Sequence, residues 1–471
     1  MRKSLKSISI RQLDYTENAE RMFALIKSFP NAIWLDSSRP MSLQGRYDLM
    51  SCNPVKIIET YGNETFIEQN GKRSPPKSED PFDIVEKLLY ELGNIDHKYK
   101  DVIFTGGLMG FFGYDLGRRL IPIADTSEQI IDFPDMRLGL YLWALVIDHK
   151  LKESKLIFHE DCPAQLKQRI KNLYSNKAMN NIRKSDFKLR DNFKATTSEG
   201  DYLKMISSIK EYILDGDCYQ TNISQHFSAE YEGDHYQAYL RLRKILPSPH
   251  AFYYSWNDKA VLSISPERFL KSFWGNEEDS IDIETKPIKG TVKRGKTVDE
   301  DRENLNLLTL SDKDRAENLM IVDLLRNDLS KSCQKSSVKV PKLFDIESYS
   351  NVHHLVSTVT GKLIPDKSII GLIKDAFPGG SITGAPKKRS MEIIEELEPI
   401  KRSLYCGSCG YLSSNKNTDL NIAIRTVLAS DLSLHCWGGG GITNDSKPND
   451  EYAESLAKIT VLLNTLENEC N

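Results

Sequence analysis

Long apolar runs are missing from this chain. The stretch 141–147 is among its most apolar, and it is far too short to cross a bilayer, which takes about 20 residues. Residues 1–15 contain no apolar core, so no secretory leader is expected. Charge of one sign is missing as well. Lys and Arg number 63 against 66 Asp and Glu, a net charge of −3, which argues against a nucleic-acid-binding field or a polybasic membrane tract. Cysteine is scarce: 8 in 471 residues are too few for a disulfide scaffold. Cys406-Gly-Ser-Cys409 has redox or zinc spacing but no second pair and no His-rich partner. Lying in a Gly-containing strand, 405–413, it reads as two reduced cysteines. A phosphate loop is also lacking. Gly106-Gly107-Leu-Met-Gly110-Phe-Phe-Gly113 does not keep GxGxxG spacing, and its aromatics suggest close backbone packing. These absences leave a cytoplasmic enzyme or enzyme subunit, with no nucleic-acid or membrane partner, as the expectation.

The length suits two or three ordinary domains or one composite fold. Hydrophobic patterning predicts strands at 32–36, 56–61, 140–148, 155–159, 250–256, 260–264 and 280–286. It predicts helices at 19–29, 81–92, 202–215 and 235–246. Residues 175–200 are polar and poor in large apolar groups, which predicts a connection between 1–174 and 201–471. No βαβ alternation with a Gly-rich first turn is present, so a mixed α+β chain on antiparallel sheets is expected.

Lys289 lies in Lys286-Pro287-Ile288-Lys289-Gly290-Thr291. Proline fixes φ, and glycine permits a sharp turn or a close approach. The lysine reads either as a solvated turn charge or as a placed group that binds an anion or, once deprotonated, attacks carbon. Glu317 lies in a predicted helix, 311–329, opened by the capping pair Ser311 and Asp314. Helical spacing puts it on a face with Met320, Ile321 and Leu324, where a carboxylate needs an ion pair, a metal or a catalytic role. Glu454 sits off the predicted stripe Tyr452, Leu456, Ile459, Leu463 and Leu466, with Lys458 one turn on, and reads as a solvated pair. The run Gly438-Gly439-Gly440-Gly441 brings bare backbone near an anion or lets strands pack closely. In Gly379–Lys387, Pro386 suits the first position of a helix. Thr383 and Gly384 would then offer N–H groups beside Lys387, a carboxylate or phosphate site. Glu267 and His354 are candidate acid–base groups or ordinary structural residues.

Together these segments resemble the chorismate-utilising enzymes. The match runs through Gly216-Asp217-Cys218-Tyr219-Gln220-Thr221-Asn222, Ser265-Pro266-Glu267-Arg268 and Asp314-Arg315-Ala316-Glu317-Asn318-Leu319. It continues through His354-Leu355-Val356-Ser357, Thr383–Lys387, Ile424-Arg425-Thr426, the glycine run and Glu451-Tyr452-Ala453-Glu454. The first half fits through Gly106–Arg118 and Asp135–Asp148. The resemblance implies large antiparallel sheets packed face to face and covered by helices, with 1–174 of the anthranilate synthase component I type. Lys289 points to the para-aminobenzoate branch, because anthranilate synthases, the alternative, typically have alanine there. Gln220 argues against the isochorismate branch, which has a water-activating lysine.

The family's roles then follow as implications. Lys289 would attack chorismate C2 to form a covalent adduct, and ammonia would displace it at C4. A neutral amine is needed for that attack. Glu267 would be the general acid and His354 would assist the leaving group. Arg425, Lys458, Thr383 and the backbone of Gly439, Gly440 and Gly441 would hold substrate carboxylates, and Tyr411 would line the pocket. Glu317 and Glu454 would hold Mg²⁺. A separate glutamine amidotransferase subunit would deliver ammonia, since no Gly-x-Cys-x-Gly nucleophile elbow is present. Trp437-Gly438 departs from the two small residues that relatives often carry. Leu35-Asp36-Ser37 stands where feedback-inhibited members have Leu-Glu-Ser, which places a tryptophan pocket at Ser37 among the expectations.

Overall fold

Strands rich in β-branched and aromatic residues form two large sheets, and all pairings between the named strands are antiparallel. The computed structural model describes residues 5–42, 45–175, 186–275, 277, 280–349 and 351–468. Among these residues one sheet has 13 strands and the other 12. The sheets meet face to face through large side chains. Phe111 of the 12-stranded sheet lies 5.9 Å from the ring of Trp256 in the other, and Arg137 donates from Nε to the Tyr254 hydroxyl at 3.0 Å. Burying such aromatics removes the apolar area that dominates folding, so this interface is the core.

Both sheets draw strands from both halves of the chain. Ile33–Asp36 pairs with His250–Trp256, and Gly107–Phe112 pairs with Ser408–Ser413. The strand Gly107–Phe112 is wholly buried, and a side chain on Gly110 would run into the carbonyl of Arg137. That glycine-rich run therefore serves packing.

The predicted strand 140–148 is two strands, Met136–Tyr141 and Trp143–Asp148, and they belong to different sheets. The predicted helix 19–29 is helical only over Ala19–Phe23. Part of the polar connection, 176–185, lies outside the described residues. Its remainder is structured: Phe187–Leu189 and Lys194–Ala195 pair with Gln220–Gly233. Cys406 and Cys409 are free thiols in buried surroundings. No helix of the described residues is long and apolar enough to cross a membrane.

Candidate active site

The site forms where the chain passes from one sheet to the other. Strand Lys259–Ser265 belongs to the 13-stranded sheet and Arg268–Trp274 to the 12-stranded one, so Pro266 and Glu267 form a crossover. A second crossover runs the opposite way, from Thr418–Asn421 to Thr426–Ser430, and carries Arg425. The two are hydrogen-bonded side by side. Ile422 N donates to Glu267 O at 3.0 Å, Ile264 N to Arg425 O at 3.0 Å, and Ser265 Oγ to Ile422 O at 2.5 Å. This stitching fixes an acid and a cation at the sheet junction.

Glu267 is buried there, 5 % exposed. Burial pushes its carboxyl up to about 7, against hydrogen bonds from Ser381 and the Ile288 backbone and the charge of Lys289. Ser381 Oγ donates to its Oε1 at 2.8 Å. A carboxyl poised near neutrality is what proton donation requires. Arg425 has φ of 50°, a left-handed backbone unfavourable for a side-chain-bearing residue, which marks a position held by its surroundings. Among the described residues no carboxylate or other acceptor engages its guanidinium. Burial disfavours its charge. His354 shares a small cavity with Arg425. Its Nδ1 is 2.8 Å from Thr291 Oγ1, and burial with the nearby Arg425 lowers it to about 3, so it is a neutral imidazole at physiological pH.

Lys289 lies on the strand Ile288–Lys293, and the pairing register with Val352–Lys362 shifts between Ile288 and Thr291. Gly290 has φ of 85° within this bulge. A bulge breaks the alternation of side chains and re-aims them. Lys289 Nζ lies 3.6 Å from Glu317 Oε2, and both side chains are mostly buried. Glu317 is raised by burial, which Lys289 and Lys313 oppose and the charge of Glu454 reinforces. A Cβ on Gly290 would lie 2.8 Å from Leu308 Cδ1 and 2.9 Å from Asp314 Cγ. Gly290→Ala is therefore expected to cost about 1–3 kcal/mol of stability. It should also slow any reaction of Lys289, read as a lower melting temperature together with reduced kcat.

The opposite wall belongs to the 13-stranded sheet. Strand Ser433–Ile442 pairs with Thr426–Ser430 only up to Cys436, so beyond that point one edge of the glycine run has no partner strand among the described residues. Side chains at Gly439 and Gly441 would strike the neighbouring strand Gln220–Gly233, whereas Gly440 faces Lys458 and Glu451. Glu454 and Lys458 form a half-exposed ion pair at 2.9 Å on the helix Pro448–Glu467. Burial raises the Glu454 carboxyl, but Lys458, Lys313 and Lys289 outweigh it, and it titrates below its ordinary value.

Helix faces differ from expectation by about one residue. On Asp312–Ser330 the inward residues are Asn318, Ile321, Val322, Leu325, Asp328 and Leu329, so Glu317 lies at the edge of the buried face and Met320 is only partly buried. On Pro448–Glu467 they are Glu451, Ser455, Ile459, Leu462 and Leu466. Polar residues with partners take core-facing places: Ser357 Oγ donates to Asn318 Oδ1 at 2.5 Å, and Gln225 Nε2 to Ser455 Oγ at 2.9 Å.

Other expected residues stand elsewhere. Thr383 is fully buried, its hydroxyl donating to Gly379 O at 3.0 Å. Gly384-Ala385 pairs with Gln220-Thr221, and Lys387 is spent on Asp328 at 2.8 Å and Ala376 O at 2.9 Å. These contacts join the loop to the strand Gln220–Gly233 and to the helix Asp312–Ser330. Tyr411 lines a cavity of about 700 Å³ with Arg268, Lys286 and Ile288, while Lys289, Glu317 and Glu454 lie outside that lining. Ser37 is fully buried, and its N–H and hydroxyl both donate to Asp48, at 3.1 and 2.9 Å.

A model of the chorismate binding enzyme family matches residues 30–464. The chain belongs to the chorismate-binding enzymes. As one of them it is 39 % identical over 465 residues to aminodeoxychorismate synthase component 1 of Escherichia coli (strain K12), covering 99 % of this chain and 100 % of that protein. The Salmonella typhimurium protein of the same name is 40 % identical, with 96 % of each chain covered. Among solved structures, anthranilate synthase component I from Streptococcus pneumoniae TIGR4 is similar at 30 % identity and TM-score 0.76, covering 89 % of this chain and 93 % of that one. For a chorismate-binding enzyme, the sequence left several supporting groups unread: Ser381 on Glu267, Thr291 on His354, and Lys313 between Glu317 and Glu451. Ser381 and Thr291 carry no sequence signal of their own, but Lys313 does. It lies four residues before Glu317, the spacing of a helical ion pair.

Proposed function

We propose that this chain is the aminating component of an aminodeoxychorismate synthase, converting chorismate and ammonia to 4-amino-4-deoxychorismate for para-aminobenzoate and folate synthesis. The observation that carries the reading is the placement of Lys289 beside the near-neutral acid Glu267, with Arg425, which no acceptor among the described residues engages, on the adjoining crossover. The lysine is the residue that anthranilate synthases would not need. In the first step the Lys289 amine attacks C2 with its lone pair, the ring π bonds shift, and the C4–O bond breaks. Glu267 gives its proton to the leaving hydroxyl, which departs as water. The adduct nitrogen is a secondary ammonium. Ammonia then attacks C4, the π electrons return, and Lys289 leaves as a neutral amine. Glu267 regains a proton from the product ammonium. Lys289 has to leave its ion pair with Glu317 and give its extra proton to water before its lone pair is free.

Glu317 and Glu454 fit a Mg²⁺ site. Each offers hard carboxylate oxygens, and the charge of Glu454 already disfavours ionised Glu317. Such an ion would supply positive charge to a substrate carboxylate. Arg425 and the free edge at Gly439–Gly441 would hold carboxylates as well. Ammonia would come from a glutamine amidotransferase subunit, in keeping with the numbered component name of the relatives.

The test is product identity. Supplied with chorismate, Mg²⁺ and an ammonium salt, the purified chain is expected to form a product that becomes aromatic only when a lyase is added. Fluorescent anthranilate appearing without the lyase would overturn the reading. Arg425→Met is expected to raise the KM for chorismate about 100-fold, the loss of a charge-assisted contact of about 3 kcal/mol. Melting temperature should change little, because the half-buried guanidinium engages no acceptor among the described residues.

A further inference from the structure

The helix carrying Glu317 packs on the 12-stranded sheet, against Ile288–Lys293 and Val352–Lys362. The helix carrying Glu454 packs on the 13-stranded sheet, against Ser433–Ile442. The cleft between them is spanned by Lys313, whose Nζ lies 3.1 Å from Glu451 Oε1 and 4.0 Å from Glu317 Oε1. Glu451 is 4 % exposed, and besides Lys313 its carboxylate is met by the Ser446 hydroxyl at 2.8 Å. A buried carboxylate with one neutral donor is poorly compensated, so Glu451 needs the ammonium that reaches it from the other wall.

We propose that Lys313 is a cross-cleft latch: it neutralises Glu451 and Glu317 while no divalent cation is present, and so holds the two walls in register. The latch is a positioning residue and touches no reacting atom. Its second consequence rests on the reading that Glu317 and Glu454 hold a divalent cation. An ammonium 4.0 Å from Glu317 repels an arriving cation and has to yield to it.

The experiment uses the full chain with Lys313→Met, Lys313→Arg, Glu451→Gln and the Met/Gln double variant. Without metal, Lys313→Met is expected to lower the melting temperature by several degrees. Glu451→Gln in the same chain should restore most of it, and Lys313→Arg should keep it. Losses that simply add in the double variant would overturn the latch. Calorimetric titration with Mg²⁺ alone reads the second consequence. Lys313→Met should bind the ion about tenfold more tightly and Lys313→Arg like the wild type. Equal or weaker binding by Lys313→Met would overturn the repulsion. A wild-type chain that binds no Mg²⁺ would overturn the metal reading and the repulsion with it, and the stability cycle would still decide the latch.

Discussion

Lys289→Ala is expected to abolish the covalent adduct and to lower amination at C4 by at least about 1,000-fold, with residual nitrogen entering at C2. Intact-mass measurement after mixing with chorismate, with ammonia withheld, reads the adduct directly. Product analysis in an ammonium salt reads the regiochemistry. The physical ground is the placement of the amine. The bulge at Gly290 turns it toward Glu317 in a mostly buried cleft, so the attacking group is presented at high effective concentration. Without the amine, ammonia itself meets the ring, and nothing enforces the double displacement that returns nitrogen to C4. An unchanged rate and product in Lys289→Ala would remove the nucleophile role. Lys289→Arg is a useful companion. It keeps the charge beside Glu317 but cannot lose its proton, and it is expected to be as inactive as alanine.

Glu267→Gln is expected to lower kcat by about 100- to 10,000-fold while leaving the KM for chorismate within a few-fold, because a proton is moved in the transition state and little is bound in the ground state. In the wild type, kcat should fall as pH rises through about 7, where burial places this carboxyl. The same group makes a parallel prediction for stability. Its folded value of about 7 exceeds the ordinary 4.5. The native state therefore holds the extra proton in that window. The stability this gives is complete below 4.5 and lost as pH rises through 7, by about 3 kcal/mol. Glutamine never ionises and still accepts from Ser381. Glu267→Gln should therefore be more stable than the wild type at pH 8 and much less active. Chemical denaturation at pH 5 and pH 8, beside the rate profile, checks both halves. A flat pH–rate profile in the wild type would leave Glu267 without an acid role.

Some of this arrangement was legible in the chain. Helical patterns located most of the helices in the second half, including the one that carries Glu317, with its Ser311 cap accepting from Asp314 N at 3.2 Å, but long strands such as Gln220–Gly233 and Val352–Lys362 went unread. The inward faces of the two cleft helices were not. Hydropathy ranks Asn318, Asp328, Glu451 and Ser455 as outward, whereas each is turned inward by a partner supplied from another part of the chain: Ser357, Lys387, Lys313 and Gln225. The loop at Thr383 and Lys387 likewise has partners that its own sequence does not show. Lys387 pairs with Asp328, and Gly384-Ala385 pairs with the strand Gln220–Gly233. A local pattern cannot report a competitor that arrives from far along the sequence.

The sequence alone determined which chemical groups are present and in what order: a lysine between Pro287 and Gly290, an arginine before Thr426, carboxylates on two helices, and a glycine run that admits backbone alone. Those were enough to point to the family. Only the tertiary structure decided what state those groups are in. Glu267 is near neutrality because two crossovers bury it at a sheet junction, with Ser381 brought from 114 residues away. Arg425 is bare because no carboxylate among the described residues folds against it. Charge and acidity depend on burial and on neighbours in space, and neither quantity exists until the sheets have closed on one another.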